Sequence, residues 1–371
     1  MRKILIGTLI LGTAAVMACD DKASTPAPAA SAAPVASASA APSAATSTTA
    51  APPKAPEGPK NHEARMKALA EAYGSHDAKK VSALYTEDAV VKFPNREDVK
   101  GRAAIEKDAA KDWGFSKDAK IAVGRIWAKD KHTAVVEWVW SGKNTGEDKE
   151  MGIDKATDKP MGFAGATWVE VSDNGFIKEE HRYFDSLTGL GQIKPDPKTP
   201  VRPVVTEPAF GTKVYELKPD AKSDEAKNLD FENKWATALS AGKLEELIKL
   251  ADKDPVMQDY TEHEEVKGEK PFKAYLEKYL HAFPDMKATM TQSFSVGEFA
   301  IVEYEYKGTH KGALGPIKAT NKTVDIHQVE VDEIKDGKFV RGWAWGDSAE
   351  MLKQLGLLTH EKEKEAKPAA K

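Results

Sequence analysis

The 371-residue chain contains one cysteine, Cys19, so no intrachain disulfide can form and no multi-cysteine metal site can be built. Its 54 basic and 58 acidic residues leave a formal charge of −4 and no basic stripe for a nucleic acid. None of the nine histidines stands at metal-ligand spacing with another histidine or the cysteine. Glycine-rich nucleotide loops, GxSxG elbows and HExxH pairs are also missing. We therefore expect no metal, no cofactor and no nucleic-acid partner.

The only long apolar run lies at the N-terminus. A positively charged start precedes residues 4–16, an apolar stretch too short for a comfortable membrane span. It ends in VMAC, which resembles the lipobox of bacterial lipoproteins, with Cys19 at the position that is lipidated. This resemblance implies a signal peptide over residues 1–18 and a lipid anchor on the periplasmic face of the inner or outer membrane of the cell envelope. An ordinary cleaved signal peptide with an incidental cysteine is the alternative.

Three segments have the composition of chain without a packed core. Residues 19–60 consist almost wholly of Ala, Pro, Ser and Thr and contain no aromatic residue, so they cannot bury enough apolar surface to repay ordering. We expect a disordered tether there and a charged, disordered tail over residues 359–371. Residues 194–227 contain six prolines, which predicts a stiff, extended connector.

The remaining chain divides into two similar halves, residues 61–193 and 228–358. Matching segments occur in the same order in both: VKGRAAIEKDAAK with VKGEKPFKAYLEK, VVEWVWSG with IVEYEYKG, and NGFIKEEHRYFD with DGKFVRGWAWGD. Such self-similarity at a long, nearly constant offset indicates an internal duplication. We therefore expect two domains of the same fold.

Each half begins with apolar residues at helical spacing and continues into period-two alternation, as in IVEYEY and TVDIHQVEVDEI. Helices followed by a long antiparallel meander predict an α+β fold in which a curved sheet wraps onto helices. This order resembles the nuclear-transport-factor-2-like superfamily. Within it, the segments GTHKG, DGKFVRGWAWGD and MLKQLG resemble SnoaL-like polyketide (ester) cyclases. The resemblance implies two tandem cone-shaped barrels, which could pair through their sheets as an internal pseudo-dimer.

Alternation along the strands selects candidate ligand-binding residues. Side chains two apart on a strand share a face, so the last strand of each half presents one polar and aromatic stripe. We expect both stripes, with two tyrosines of the preceding meander, to line ligand pockets. The predicted residues are Arg341, Trp343, Trp345, Tyr304 and Tyr306 in the second half, and His181, Tyr183 and Asp185 in the first.

The resemblance also implies a chemistry that needs no cofactor. In SnoaL-like cyclases an Asp at the end of the last strand acts as general acid/base. Carried over, Asp347 takes that role and His327 is a candidate for polarising a substrate carbonyl. The structural alternative is that an Asp followed by Ser at a strand-to-helix junction caps the helix, which would explain both Asp185 and Asp347. The tryptophans could equally be core residues.

We therefore interpret the chain as an envelope-anchored lipoprotein that binds a small apolar or amphiphilic molecule, or a protein partner, chiefly through its second domain and without catalysis. A cofactor-independent cyclase or isomerase is the alternative. A purely structural protein whose domains act as spacers would require a filled interior with no cavity.

Overall fold

The computed structural model describes residues 57–149, 152–196, 199–217 and 222–358. The predicted signal peptide, Cys19, nearly all of the predicted tether and the predicted tail lie outside these residues. Within the described part of the chain, no helix is both long enough and apolar enough to span a membrane.

The first half contains four helices and six strands among its described residues. In chain order they are α1 (His62–Gly74), α2 (Ala78–Ser82), β1 (Tyr85–Lys92), β2 (Val99–Lys100), α3 (Arg102–Phe115), β3 (Lys120–Ala128), β4 (Thr133–Lys143), β5 (Pro160–Val171), β6 (Ile177–Phe184) and α4 (Ser186–Ile193). Local sequence explains several boundaries. For example, the side chain of Asp77 accepts a hydrogen bond from the backbone N–H of Lys80 and so caps α2.

A short strand, β7 (Lys213–Glu216), precedes the second half. The second half then repeats the order of the first: α5 (Lys222–Ser240), α6 (Leu244–Leu250), β8 (Ala251–Asp259), β9 (Val266–Lys267), α7 (Glu269–Ala282), β10 (Lys287–Val296), β11 (Phe299–Thr309), β12 (Thr323–Lys335), β13 (Lys338–Trp345) and α8 (Ser348–Gln354).

The two sheets have the same connectivity. The first has the strand order β2-β1-β6-β5-β4-β3-β7, and the second has the order β10-β11-β12-β13-β8-β9. Apart from the added strand β7, this is the same arrangement read from the other edge. The strand pairs β1–β6 and β13–β8 are parallel, and the meanders are antiparallel. The α+β class is confirmed. Both described sheets are open, however, so the predicted barrels do not close.

The predicted connector is more structured than expected. Its strand β7 pairs in parallel with β3 and extends the edge of the first sheet. Helix α5 begins at Lys222, inside the predicted connector, because the chain from there on is rich in Lys, Glu, Ala and Leu and contains no proline before the helix ends.

Three hydrophobic clusters hold the described residues together. One lies between the helices and sheet of the first half, and a second occupies the equivalent place in the second half. The third lies between the two sheets and joins side chains of both halves: Trp127, Trp168 and Tyr183 with Phe294, Trp343 and Trp345, among others. The central strands are therefore buried on both faces, as the burial of nearly every residue of β4 illustrates.

Candidate ligand-binding cavities

A cavity of about 290 Å³ lies between the helices and sheet of the first half. Its wall is mostly aliphatic and aromatic, contributed by α1, α3 and the strands. The main apolar lining residues are Met66, Leu69, Val91, Phe93, Ile105, Val123, Trp138, Trp140, Met161 and Phe163. A concave apolar space of this kind, with a few polar groups, has the character of a small-molecule site.

Polar groups of the first cavity are paired with one another. Arg182 donates to Glu180 at 2.7 Å and to the hydroxyl of Tyr85 at 2.8 Å. The guanidinium of Arg96 binds Asp108 through two hydrogen bonds of 2.7 and 2.9 Å. Both arginines are thus paired with acids within the protein, so neither is free to bind a charged ligand group.

Asp112, another acid that lines the first cavity, is hydrogen-bonded to a tyrosine. It accepts a hydrogen bond of 3.0 Å from the hydroxyl of Tyr73, which in turn accepts one of 2.9 Å from the indole of Trp140. The surrounding protein, and then the neighbouring charge of Asp108, raise the pKa of Asp112 to about 6. This chain of groups can therefore offer a ligand either a proton acceptor or a neutral acid near neutral pH.

The second half contains a smaller cavity of about 110 Å³. Aromatic side chains form much of its wall: Trp235, Phe272, Tyr275, Tyr279, Tyr306 and Phe339. Its polar groups are mostly acids, namely Asp259, Glu330, Asp332, Asp347 and Glu350. Both halves therefore keep internal space, and the filled interior expected of a pure spacer is not observed.

Trp343 and Trp345 lie between the two sheets and line neither cavity, with 4% and 0% exposure. Their predicted position on a pocket wall is wrong. Alternation correctly places them on one face, but that face of β13 packs against the first half. The opposite face, represented by Ala344 and, beyond a bulge, Phe339, belongs to the core of the second half.

Other predicted binding residues divide between the interface and the interior. Arg341 is half-buried beside Trp343, at 5.8 Å from the ring centre, and so lies at the edge of the interface. Tyr306 lines the second cavity and donates to Glu330 at 2.6 Å. Tyr304 is fully buried in the adjacent core and donates to Glu232 at 2.9 Å.

Asp185 and Asp347 occupy equivalent positions and exchange hydrogen bonds across the interface. Asp185 accepts from the backbone N–H of Thr188 in its own helix, at 2.9 Å, and from that of Ser348 in the other half, at 3.0 Å. Asp347 accepts from the N–H of Ala349 at 2.9 Å and from the hydroxyl of Ser186 at 2.9 Å. Each aspartate therefore caps its own helix and binds the start of the other.

Asp347 combines this capping role with a place on the wall of the second cavity. Burial, and then the charge of Asp185, raise the pKa of Asp347 to about 8. Its second carboxylate oxygen accepts from the side chain of Asn95, a residue that lines the first cavity. Both oxygens are consequently engaged, which favours the structural reading over a free catalytic base.

His327 lies at the mouth of the second cavity, 3.1 Å from Glu350. That hydrogen bond raises the pKa of His327 above its usual value. Its ring also belongs, with Glu305 and Asp325, to a surface group whose ligand atoms lie within 4.8 Å of one another. The ammonium of Lys307 already contacts both carboxylates of this group, at 2.8 and 3.3 Å, so its charge is compensated without a metal.

His181 and Tyr183 cross the interface instead of lining a pocket. His181 contacts Glu303 of the second half at 2.5 Å and Glu179 of its own strand at 2.6 Å, while the hydroxyl of Tyr183 donates to Glu303. Gln292 adds a hydrogen bond of 2.9 Å to the same carboxylate. Glu303 thus anchors a polar network inside the sheet-to-sheet contact.

The equivalent glutamate of the first half, Glu137, has a different partner. Arg125 donates to it through hydrogen bonds of 2.8 and 2.9 Å, and both side chains are 2% exposed. The guanidinium of Arg125 also lies 3.9 Å from the centre of the Trp343 ring, across the interface.

Sequence reasoning missed most residues that line the cavities. One available signal was an acid on the apolar stripe of a helix: Glu232 is spaced three and seven residues from Trp235 and Leu239. Asp108 and Asp112 have the same relation to Ile105 on α3. Acids on β12 gave no such signal, because a strand that alternates Val with Glu or Asp is normally read as facing solvent on its polar side.

Both halves match SnoaL-like family profiles. Residues 66–180 match the SnoaL-like domain, and residues 230–355 match the SnoaL-like polyketide cyclase. The chain therefore carries two SnoaL-like domains, as its closing segments had suggested. No curated protein sequence matches this chain.

Similar solved structures each cover about a third of the chain. AclR from Streptomyces galilaeus is 24% identical over 36% of this chain and 99% of its own length, with a TM-score of 0.34. IdmH from Streptomyces antibioticus is 23% identical over 35% of this chain and 98% of its own, with a TM-score of 0.32. TsrD from Streptomyces laurentii is 18% identical over 36% of this chain and 97% of its own length, with a TM-score of 0.33.

The His181–Glu303 contact predicts a defined pH dependence of stability. Burial alone would lower the pKa of His181, but hydrogen bonds to Glu303 and Glu179 raise it above 6.5. Burial would raise the pKa of Glu303, but His181 brings it below 4.5. The histidine contribution is therefore complete below 6.5 and lost as pH rises through its folded pKa, and the glutamate contribution is lost on acidification.

We expect His181→Ala to lower the free energy of unfolding by about 3 kcal/mol near pH 5.5 and by less than half of that near pH 9. Urea unfolding of the parent and the variant at both pH values measures the difference. His263→Ala removes an exposed histidine and serves as the control. An equal loss at both pH values would contradict the ionic contact.

Proposed function

We propose that this protein binds a small apolar or amphiphilic molecule in the cavity of its first half, without catalysing a reaction. The supporting observation is the cavity of about 290 Å³, close to the lower end of the range usual for ligand sites and bounded mainly by hydrocarbon. Burying apolar ligand surface there would contribute roughly 25 cal/mol per Å². The second half, which the sequence favoured as the binding domain, uses its aromatic stripe for the interface instead.

The polar end of the cavity suggests what kind of molecule fits. Its two arginines are already satisfied by Glu180 and Asp108, so a ligand carboxylate or phosphate would have to break an existing pair. Asp112 and Tyr73 can exchange a hydrogen bond with a neutral group. A compound with an apolar body and a hydroxyl or carbonyl head matches this arrangement.

The proposal includes anchoring in the cell envelope through a lipid on Cys19, with residues 19–60 as the tether that holds the domains away from the membrane. Support comes from the VMAC segment and the composition that follows it. We also propose that the two halves act as an internal pseudo-dimer, supported by the shared hydrophobic cluster and the exchanged caps. A protein that binds the anchored chain is the alternative to a small-molecule ligand.

One observation favours the alternative, a cofactor-independent cyclase or isomerase: Asp347 lines the second cavity and has a pKa raised to about 8 by burial and the charge of Asp185. In that reading Asp347 transfers the proton and His327, at the cavity mouth, polarises a carbonyl. The reading requires that Asp347 release a hydrogen bond from Ser186 or Asn95.

Ala109→Leu tests the first cavity. Leu276 is the equivalent residue of the second half, so the fold accepts leucine there, and the added carbons occupy cavity volume. We expect 1-decanol and 2-naphthol to raise the Tm of the parent but not of the variant, whose own stability should stay equal or rise by about 1 kcal/mol. Ala110→Leu adds the same group on the exposed side and is the matched control. No response of the parent to either compound would contradict the proposal.

Cys19→Ser tests the anchor. In a bacterial host fed an alkyne-tagged fatty acid, we expect the full chain to carry the label and to sediment with membranes, since thioether lipidation requires the cysteine. The serine variant should lose both properties. An unlabelled parent in the soluble fraction would be incompatible with lipid anchoring.

Replacement of Asp347 separates capping from catalysis. We expect Asp347→Ala to cost about 1–2 kcal/mol of unfolding free energy, and Asp347→Asn much less, because Asn keeps an oxygen that can cap α8. Asp185→Ala is the matched variant of the first half and should cost a similar amount. Should Asp347→Asn retain full stability yet abolish a turnover that the parent shows, the cyclase alternative would replace the binding proposal.

A further inference from the structure

Three buried acids distinguish the second half from the first. The matching segments VVEWVWSG and IVEYEYKG make Val135 and Ile301 equivalent. Their neighbours across the strand pairs, Trp168 on β5 and Val331 on β12, are therefore equivalent too. The same register and the matching helices give equivalent residues for each acid. Glu232, Glu330 and Asp332 correspond to Met66, Thr167 and Val169, respectively.

The fold does not need these acids, since the first half builds the same topology without them. Glu232, Glu330 and Asp332 are only 0%, 5% and 3% exposed. Burying carboxyl groups without cations costs free energy that Met, Thr or Val at the same places would not. Because only the second half has this unfavourable burial of carboxyl groups, the three acids point to a role other than stability.

Three tyrosines line the second cavity, and the hydroxyl of each already donates a hydrogen bond to an acid. Tyr275 donates to Asp259 at 2.9 Å, Tyr279 to Glu262 at 2.6 Å and Tyr306 to Glu330 at 2.6 Å. Among the described residues lining this cavity there is no lysine or arginine, whereas the first cavity has both. The cavity thus presents acceptors, and its one basic residue, His327, is hydrogen-bonded to Glu350.

Asp332 and Glu232 form a buried pair of acids, and Asp332 lines the cavity. The two carboxyls are hydrogen-bonded to each other when one of them holds a proton. Asp332 Oδ1 and Glu232 Oε1 have no other hydrogen-bond partner. Full ionisation of the pair therefore leaves buried acceptors that need a donor from an occupant of the cavity.

We propose that the second cavity binds a small organic ammonium ion, a protonated primary or secondary amine, with Asp332 as its principal acceptor and the aromatic wall around its carbon chain. Ammonium groups combine N–H donors with a positive charge that Asp332 and Glu232 do not receive from the described residues, and aromatic faces attract such cations. The volume of about 110 Å³ suits a molecule of about five heavy atoms. This site goes beyond the proposed function, which concerns the first cavity.

A metal ion fits the same acids less well. Within the described part of the chain, the one His, Cys, Asp or Glu group close enough to share a metal is the surface group around His327, and it includes none of these three acids.

Proton release should accompany binding. Burial, and then the charges of Glu232 and Glu330, raise the pKa of Asp332 well above its usual value, and burial raises that of Glu232 to about 8. An ammonium ion favours the ionised carboxylate and so competes with the proton. Affinity should therefore increase with pH until the amine itself loses its proton near pH 10.

The test is isothermal titration of the full chain with n-butylammonium chloride, with n-butanol as the uncharged analogue. We expect butylammonium to bind and butanol to bind at least tenfold more weakly. Between pH 6 and pH 8 the affinity for butylammonium should rise by up to about tenfold per unit, with release of up to one proton.

Two variants identify the acceptor. Asp332→Val installs the residue of the first half, and Asp332→Asn keeps the shape without the charge. We expect both to fold, with a Tm equal to or above that of the parent, and to bind butylammonium at least tenfold more weakly. Glu298→Gln removes an exposed acid and should leave binding unchanged.

Binding of butylammonium that equals that of butanol, is independent of pH, or survives both Asp332 replacements would overturn the proposal. Tight binding of calcium chloride without a response to butylammonium would overturn it in favour of a metal site. Because decanol and naphthol report on the first cavity through Ala109→Leu, failure of either proposal can be recognised separately.

Discussion

Packing of the two sheets against each other is the constraint on which the rest of the structure depends. Each sheet has helices on one face, and the other face carries large side chains such as Trp127 and Trp345 that must also leave water. Covering those faces with each other buries both. The contact therefore decides, for every central strand, which alternate side chains are left to face a ligand.

This constraint separates the two kinds of site residue. On β12, Val329 and Val331 enter the interface, and Glu330 and Asp332 face the interior of the second half. Because the outer face of each sheet packs into the shared core, residues on the inner face can differ between the two halves without disturbing that contact. The first copy has a mainly apolar cavity whose arginines are paired with acids, and the cavity of the second is lined by more acids, so one chain holds two chemically different cavities.

Much of this architecture could be predicted from sequence. The repeated segments correctly indicated two SnoaL-like domains, and helical spacing and alternation correctly indicated the α+β class. What alternation could not supply was the direction of a stripe. Trp343 and Trp345 do share a face, but a two-residue period does not say which face of the strand points into the domain. Packing against the partner sheet determines that this face is covered. For the same reason the sequence pattern does not reveal that Glu330 and Asp332 line a cavity.

The reading of Asp347 shows a second limit. An Asp-Ser pair after a strand predicts a cap, and the backbone contact to Ala349 agrees with it. No local pattern, however, could indicate that Ser186 of the other half would share the same carboxylate. Contacts that join distant segments depend on how the domains pair, and a single sequence without related sequences carries little information about that pairing.

Charge at the interface explains why each half is suited to pair with the other half and not with a second copy of itself. Strand register makes Gln292 the equivalent of Arg125, and Trp343 the equivalent of His181. In the first half the buried glutamate therefore takes its cation from its own sheet and faces an indole across the contact. In the second half the neighbouring residue is neutral and the cation comes from across, through His181.

Two copies of the second half would bury both glutamates without a cation, at a cost of several kcal/mol each. Two copies of the first half would place His181 close to the already paired Arg125. Only the mixed pair gives Glu137 and Glu303 one positive partner each, Arg125 and His181. Once these exchanges were in place, the two domains depended on each other, and the connector that keeps them in one chain guarantees that the right partner is always present.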